Sequence, residues 1–151
     1  LARRHPTLQG LVVDQSVAVA RRLIRQQGLR DRLCVEEGDL FTHPLPTGFD
    51  VALLANVLHD FHEKENIRLL RRVQKALRPG GKIFIVEYFL NPAGTRPAEA
   101  AIFSLLMYAF TDTGRCYAWK DVEGWLETAG FSHCRRHRVT GSIGTLEAVN
   151  R

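Results

Sequence analysis

Short apolar runs alternate with helical stripes along this chain. Runs typical of buried β-strands occur at 10–14, 32–36, 50–54 and 82–87. Segments in which apolar residues recur every three or four positions, as on one face of an α-helix, lie at 17–28, 63–77, 97–110 and 121–129. Two more β-prone segments close the chain, at 131–138 and 143–149. The pattern therefore predicts alternating strands and helices.

This alternation predicts an α/β fold whose mostly parallel sheet carries helices on both faces. The last two strands predict a C-terminal antiparallel hairpin. In such sheets, ligands bind at the carboxyl ends of the strands. Acidic and polar residues follow four predicted strands, at Asp14, Asp39, 56–60 and Glu87. We expect these four loops to converge on one edge of the sheet.

Two segments carry further structural signals. The sequence Arg-Pro-Gly-Gly at 78–81 predicts both the end of the helix 63–77 and a tight turn before the next strand. The helix 97–110 is apolar on nearly every side, so we expect it to be buried.

Length and composition narrow the class of protein. A chain of 151 residues that is 45% hydrophobic and 25% charged is long enough for one domain, which we place at 1–151, and is not typical of disorder. Its apolar stretches fall short of the roughly 20 residues that cross a bilayer. We therefore expect a cytoplasmic protein without a membrane segment.

The distribution of charge and the cysteine content argue against a nucleic-acid partner and against a metal site. The formal net charge is +5, but the basic residues are spread over helices among acidic ones, so we expect no nucleic-acid partner. The three cysteines are far apart and form no CxxC pair, which favours reduced thiols. On the predicted strand 131–138, Cys134 would point away from His133 and His137, so no metal site is expected.

Five motifs, in this order and spacing, carry a family resemblance. They are GLVVD (10–14), EEGDLF (36–41), ALLANVLHDF (52–61), LRPGGKIFIVE (77–87) and TGRCYAWKDVEGWLETAGF (113–131). The chain resembles the class I, S-adenosylmethionine-dependent O-methyltransferases of the hydroxyindole, caffeate and bacterial polyketide-tailoring kind over nearly its whole length. This resemblance implies a Rossmann-like fold, S-adenosylmethionine (SAM) as cofactor, and methyl transfer to a hydroxyl group of a small aromatic metabolite.

The resemblance implies that Asp14 binds the cofactor. A carboxylate at the end of a strand can accept hydrogen bonds from both ribose hydroxyls of a nucleotide. The alternative interpretation is that Asp14 caps the helix that begins near Val17.

Asp39 is the second cofactor residue that the resemblance implies. Its carboxylate can accept a hydrogen bond from the exocyclic amine of adenine while Leu40 and Phe41 cover the ring. The alternative is a turn aspartate beside a core phenylalanine. Relatives often carry Lys or Arg four residues before the catalytic histidine, where this chain has Ala55. A cofactor contact there is expected from the backbone alone.

His59 matches the general base of the family. A phenol with a pKa of about 10 is a poor nucleophile at neutral pH, whereas an imidazole with a pKa of about 6.5 can accept its proton. The alternative is a structural histidine before a helix. Family members usually flank this histidine with two glutamates. Glu147 is assigned to the later position and Cys116 falls at the earlier one, where a thiol cannot hold an imidazole as a carboxylate does.

Asp60 is a further catalytic candidate, because it follows the histidine in many relatives; its alternative role is a helix N-cap. Phe103, Met107 and Phe110, with Tyr108, are expected to line the pocket for a flat aromatic substrate. The alternative for these helix residues is a core or a subunit interface.

The resemblance also predicts missing parts. Family members place a glycine-rich loop after their first strand, where only glycine lets backbone amides approach the cofactor. No such segment precedes Gly10. We therefore expect a chain truncated before this loop, a sheet that lacks its first central strand, and a homodimer in the full-length protein.

Three functional interpretations remain open at this point. The first is an O-methyltransferase domain whose missing parts lie upstream. The second is an inactive remnant that serves as a binding or dimerisation module. The third is a nicotinamide-dependent oxidoreductase, which ranks lower because the chain has no GxGxxG loop and no Tyr/Lys pair.

Overall fold

The computed structural model describes residues 1–139 and 141–151, which form two compact units, Leu1–Pro44 and Leu45–Arg151. The first unit contains β1 (Gly10–Asp14), α1 (Ala18–Gln26) and β2 (Leu33–Glu37). The second contains β3 (Phe49–Ala55), α2 (Glu63–Ala76), β4 (Leu77–Leu90), α3 (Ala98–Phe110), β5 (Tyr117–Ala118), α4 (Trp119–Thr128), β6 (Phe131–Arg138) and β7 (Ile143–Asn150). Every predicted helix and strand is present. The short β5 and a 3-10 turn at Leu58–Asp60 were not predicted.

The first unit is built on a two-stranded parallel sheet. β1 and β2 pair from Gly10 opposite Leu33 to Asp14 opposite Glu37. The guanidinium of Arg32 donates hydrogen bonds of 2.9–3.3 Å to the carbonyl oxygens of Ala2, His5, Pro6 and Leu8. Because a guanidinium presents five donors in one plane, this single side chain ties together the turns that precede β1.

The second unit is built on a five-stranded sheet. Its main order is β3-β4-β7-β6, and β5 pairs with the end of β4. β4 runs parallel to β3 and β5, whereas β7 runs antiparallel to β4 and β6. The predicted C-terminal hairpin is therefore confirmed, and its second strand pairs with β4. Within the described residues β1 pairs only with β2, and β3 pairs only with β4.

The core of the second unit lies on one face of the five-stranded sheet. Alternate residues of the central strands are completely buried: Ile83, Ile85, Leu146 and Ala148. The helices α2 and α4 contact each other and the sheet, and their apolar faces are 0–1% exposed at Leu69, Leu70, Val122 and Leu126. Each such aliphatic side chain contributes about 1.5–3 kcal/mol by burial. This packing anchors the strand ends that carry the candidate site.

The helix α3 is less buried than predicted. Its exposed apolar residues include Ile102, Leu105, Tyr108 and Phe110, at 59–82% exposure. Among 98–110 only Ala100 is buried. The expectation that this apolar helix is buried is therefore wrong within the described residues, because they supply a packing surface for one side of α3 only. No helix in the described residues is long and apolar enough to span a membrane.

The segment 78–81 is a bulge within β4 rather than a separate turn. β3 and β4 shift register between Phe49 and Val51, which places these residues as an insertion on the β4 side. Gly80 has a φ of 75°, and a Cβ atom on Gly81 would lie within 3.2 Å of three backbone oxygens. Both glycines are therefore required by the backbone, and the sequence signal for a turn reflects this local geometry.

Asn150 of β7 holds the C-terminal end of α2. Its buried Nδ2 donates to the carbonyl oxygens of Gln74, Leu77 and Arg78 at 3.0–3.2 Å, and its Oδ1 accepts a hydrogen bond of 2.7 Å from the side chain of Gln74. Carbonyls at the end of a helix have no partner inside the helix, and this amide supplies one.

Gly144 of β7 lies where an aromatic stack meets the sheet. Trp119 stacks on Phe89 with 3.8 Å between ring centroids, and a Cβ atom on Gly144 would collide with the Trp119 ring. We predict that Gly144→Ala lowers the free energy of unfolding by about 1–3 kcal/mol, because extra atoms in a packed site displace their neighbours. Urea unfolding followed by tryptophan fluorescence measures the change.

Gly124→Ala is the matched control. Gly124 is exposed on α4, and a Cβ atom there would meet nothing within 4 Å. The same substitution should stabilise the protein there by about 0.5–1 kcal/mol, because alanine favours the helix. Equal effects of the two substitutions would show that Trp119 does not restrict Gly144.

Candidate active site

His59 lies in the 3-10 turn that follows β3. Asn56 directly follows that strand with a φ of 55°, and its backbone N–H donates to the carbonyl of Val86 at 2.9 Å. Asparagine adopts this left-handed conformation more readily than most residues. The chain therefore turns sharply out of β3, and His59 becomes 7% exposed beside the end of β4.

Glu87, near the end of β4, holds both the imidazole and the turn that carries it. The distance from its Oε2 to Nδ1 of His59 is 2.7 Å, and its Oε1 accepts hydrogen bonds from the backbone N–H groups of Val57 and Leu58 at 2.7 and 2.8 Å. A carboxylate can only accept, so Nδ1 of His59 is the donor. The other ring nitrogen, Nε2, is then free of its proton in the neutral imidazole and can act as a base.

The electrostatic surroundings of His59 favour its protonated form. Burial acts most strongly and lowers its pKa, but the hydrogen bond and charge of Glu87 and the charge of Asp60 together outweigh burial. The pKa of His59 is therefore raised above its ordinary value. This makes the imidazole a stronger base once it is neutral.

Asp60 contributes charge rather than a cap. Its Oδ1 lies 3.7 Å from Nε2 of His59, beyond hydrogen-bond distance, and its side chain is 47% exposed. The N-cap of α2 is His62, so the alternative role of Asp60 as the cap residue does not apply.

A cavity of about 10 Å³, the size of one water molecule, adjoins His59. Glu87, Cys116 and Tyr117 are among its lining residues. Burial, followed by the charge of Glu87, raises the pKa of the Cys116 thiol to about 12. Cys116 is therefore neutral at physiological pH, and Glu87 is the buried carboxylate of this site.

The structure does not bring Glu147 to His59, and the assignment of Glu147 to this histidine is wrong. Glu147 pairs with Lys82 at 2.7 Å and with His137 at 3.1 Å, and the lysine is the main cause of its lowered pKa. In the β-ladder it lies opposite Phe84, three positions from Glu87. Because strand residues alternate between faces, the side chains of Glu147 and Glu87 lie on opposite faces of the sheet.

The residues predicted to bind the substrate differ in their burial and in their distance from His59. The Phe103 ring meets the His59 ring edge to face, with 5.1 Å between centroids, and Met107 is half-buried one turn further along α3. Phe110 and Tyr108 are 82% and 77% exposed, and the structure does not bring them to His59. Phe103 is thus the predicted substrate residue that contacts the candidate base.

In the first unit, Asp14 and Asp39 lie at the same edge of the β1–β2 sheet, where the N–H of Gly38 donates to the Asp14 carbonyl at 3.0 Å. The Oδ1 of Asp14 accepts a hydrogen bond from the backbone N–H of Ser16, and the Oδ1 of Asp39 accepts one from the backbone N–H of Phe41. The second carboxylate oxygen of each has no hydrogen-bond partner in the described part of the chain, and both side chains are exposed. Asp14 does not cap α1, whose N-cap residue makes no side-chain cap.

The remaining predicted positions are placed as follows. Leu40 and Phe41 are half-buried directly after Asp39, and Ala55 is exposed at the end of β3, opposite Val86. No group of three or more His, Cys, Asp or Glu residues in the described residues could hold a metal ion.

Comparison with known proteins decides the family. Residues 1–132 match the sequence model of the O-methyltransferase domain. The chain belongs to this family. A 3-hydroxy-5-methyl-1-naphthoate 3-O-methyltransferase of Streptomyces sahachiroi is 36% identical to this chain, over 99% of the chain and 44% of the relative.

Solved structures confirm the predicted fold of this family member. An O-methyltransferase family 2 protein of Planctomyces limnophilus, in complex with apigenin, has a TM-score of 0.91 and 30% identity, over 99% of this chain and 45% of that one. Human N-acetylserotonin methyltransferase, in complex with SAM, has a TM-score of 0.83 and 25% identity, over 99% of this chain and 42% of that one. The chain thus spans less than half the length of these relatives.

We predict that Glu87→Gln lowers the pKa of His59. The substitution removes the charge that raises this pKa but leaves the burial that lowers it. Titration of the His59 ring protons by NMR measures the change. Glu147→Gln is the matched control and should leave the titration of His59 unchanged; an equal shift in both variants would contradict the geometry described above.

Proposed function

We propose that the protein containing this chain transfers the methyl group of SAM to a hydroxyl group of a small aromatic metabolite, with His59 as the general base. The observation that carries this proposal is the buried 2.7 Å contact between His59 Nδ1 and Glu87, which leaves Nε2 as the basic nitrogen. Membership in the O-methyltransferase family supports the reaction class.

Asp14 and Asp39 fit the role of nucleoside ligands. Each presents an exposed carboxylate oxygen with no partner in the described residues, and both lie at the carboxyl edge of parallel strands. Ribose hydroxyls and the adenine amine are donors that such oxygens accept. Leu40 and Phe41 supply apolar surface next to Asp39, and Ala55 offers only backbone and a methyl group. SAM, when bound, supplies a methyl group already activated by its sulfonium charge.

His59 removes the proton that makes the acceptor hydroxyl a poor nucleophile. As Nε2 takes this proton, an imidazolium forms 2.7 Å from Glu87, whose carboxylate stabilises the new charge. Asp60 adds a weaker attraction across 3.7 Å. The proton therefore moves from the acceptor to Nε2, and Nδ1 keeps its hydrogen bond to Glu87 throughout.

An aromatic acceptor is the class that the surroundings of Nε2 favour. The Phe103 ring borders His59, and the relative from Streptomyces sahachiroi acts on a naphthoate. The adjoining cavity holds only about one water molecule and is too small for an aromatic acceptor. The exposed apolar residues of α3, including Tyr108 and Phe110, are the surface we assign to a homodimer contact or another subunit interface.

We predict that His59→Ala lowers turnover by about 10²-fold or more, the contribution typical of a general base. The affinity for SAM should change little, because the nucleoside ligands lie in the first unit. Transfer of labelled methyl to a panel of phenols and calorimetric titration with SAM measure the two quantities.

Asp39→Ala is the complementary variant and should weaken SAM binding. Loss of SAM affinity in His59→Ala would assign this histidine to cofactor binding instead of catalysis. A wild-type protein that binds no SAM and methylates no acceptor would favour the inactive binding module.

A further inference from the structure

One side chain of α2 holds both ends of the turn that carries His59. The Nδ2 group of Asn66 donates to the carbonyl oxygen of Leu58 at 2.9 Å and to that of Phe61 at 3.0 Å. Asn66 is completely buried, and its own backbone N–H is bonded to the carbonyl of His62. Both amide hydrogens are therefore used on the two residues that bracket the His59–Asp60 pair.

The other carbonyls of the turn are held by the segment 113–117. The backbone N–H of Arg115 donates to the His59 carbonyl at 2.8 Å, and the Thr113 hydroxyl donates to the Asp60 carbonyl at 2.8 Å. The Tyr117 hydroxyl also donates to the Phe61 carbonyl at 2.6 Å. All four carbonyls from 58 to 61 therefore accept a hydrogen bond from outside the turn. The backbone under the imidazole has little freedom to rotate.

Among the residues that donate hydrogen bonds to the carbonyls of 58–61, Asn66 is the one whose presence is not explained by stability alone. Its Oδ1 is buried and has no hydrogen-bond partner in the described residues. An unpaired buried carbonyl is unfavourable, and an apolar side chain of similar shape would avoid it. A role in placing the turn accounts for an amide in this apolar position, because only a donor of two hydrogens can bridge both carbonyls.

We propose that Asn66 is a positioning residue that sets the geometry of the His59 ring against Glu87. The inference rests on the proposed role of His59 as the base. Nδ1 of His59 and the N–H groups of Val57 and Leu58 share one carboxylate. A turn released at Leu58 and Phe61 would change all three of these contacts together. Asn66 therefore acts through His59 and does not touch the reacting atoms.

The test compares Asn66→Leu with Asn150→Leu in the protein that contains this chain. Leucine matches asparagine closely in shape but donates no hydrogen bond. Asn150 is a fair control because its buried Nδ2 also donates to backbone carbonyls, at the opposite end of α2. Asn66→Ser is a second, smaller variant in case the leucine side chain prevents folding.

For both Asn66 variants we expect kcat to fall by about 10- to 100-fold with the KM for SAM unchanged, as a misplaced catalytic group would cause. We also expect the NMR titration of His59 to move to lower pH, because the Glu87 contact that raises its pKa is weakened. Asn150→Leu should lower the thermal unfolding midpoint while leaving kcat and the His59 titration as in the wild type.

Unchanged His59 titration in folded Asn66 variants, or equal losses of kcat in the Asn66 and Asn150 variants, would overturn the proposal and leave Asn66 a structural residue. The titration does not depend on turnover. If the wild-type protein transfers no methyl group but Asn66→Leu still shifts the His59 titration, the proposed function is refuted and the positioning role is supported.

Discussion

The hydrogen bond between His59 and Glu87 is the interaction on which the candidate site depends. It joins the turn after β3 to the end of β4, and the parallel pairing of these strands is what brings the two residues together. Ala55 lies opposite Val86 in that pairing. Glu87 is one residue beyond Val86, and His59 is four residues beyond Ala55. Glu87 also accepts two backbone N–H groups of the turn. One buried carboxylate thus fixes the direction of the imidazole and the backbone that carries it.

The same arrangement sets the basicity of the site. Burial alone would lower the pKa of His59 and make it a weak base, but Glu87 and Asp60 reverse that effect. Cys116, in the wall of the adjoining cavity, is neutral and adds no second negative charge. The strength of the base therefore depends mainly on one carboxylate, which is held by three N–H donors and leaves Nε2 as the unprotonated ring nitrogen.

Much of the fold follows from the hydrophobic pattern, whereas the partners within the site do not. The period of apolar residues predicted every helix and strand except the 3-10 turn at Leu58–Asp60 and the short β5, and the alternation of strands and helices placed Asp14, Asp39, His59 and Glu87 at the ends of predicted strands. Which glutamate contacts the histidine depends on the face of the sheet from which the glutamate side chain projects. That face is set by the register in which the strands pair. Position in the last strand alone therefore predicts Glu147 as a partner, but its side chain lies on the opposite face from Glu87.

Other features required three-dimensional contacts. The bulge at 78–81 has the sequence of a turn, and only its pairing with β3 shows that the strand continues through it. Asn66 carries no sequence signal, because a polar residue in the first turn of a helix is common at exposed positions. The burial of α3 was overestimated because a sequence shows how apolar a helix is but not whether a surface is present to cover it.

The tautomer of His59 tests the role of this imidazole most sharply, and ¹⁵N NMR of the ring in the wild-type protein at a pH well above its pKa measures it. Because the Glu87 carboxylate can only accept a hydrogen bond, we predict a proton on Nδ1 and none on Nε2. A proton on Nε2, or an equal mixture of the two tautomers, would contradict the assignment of Nε2 as the base.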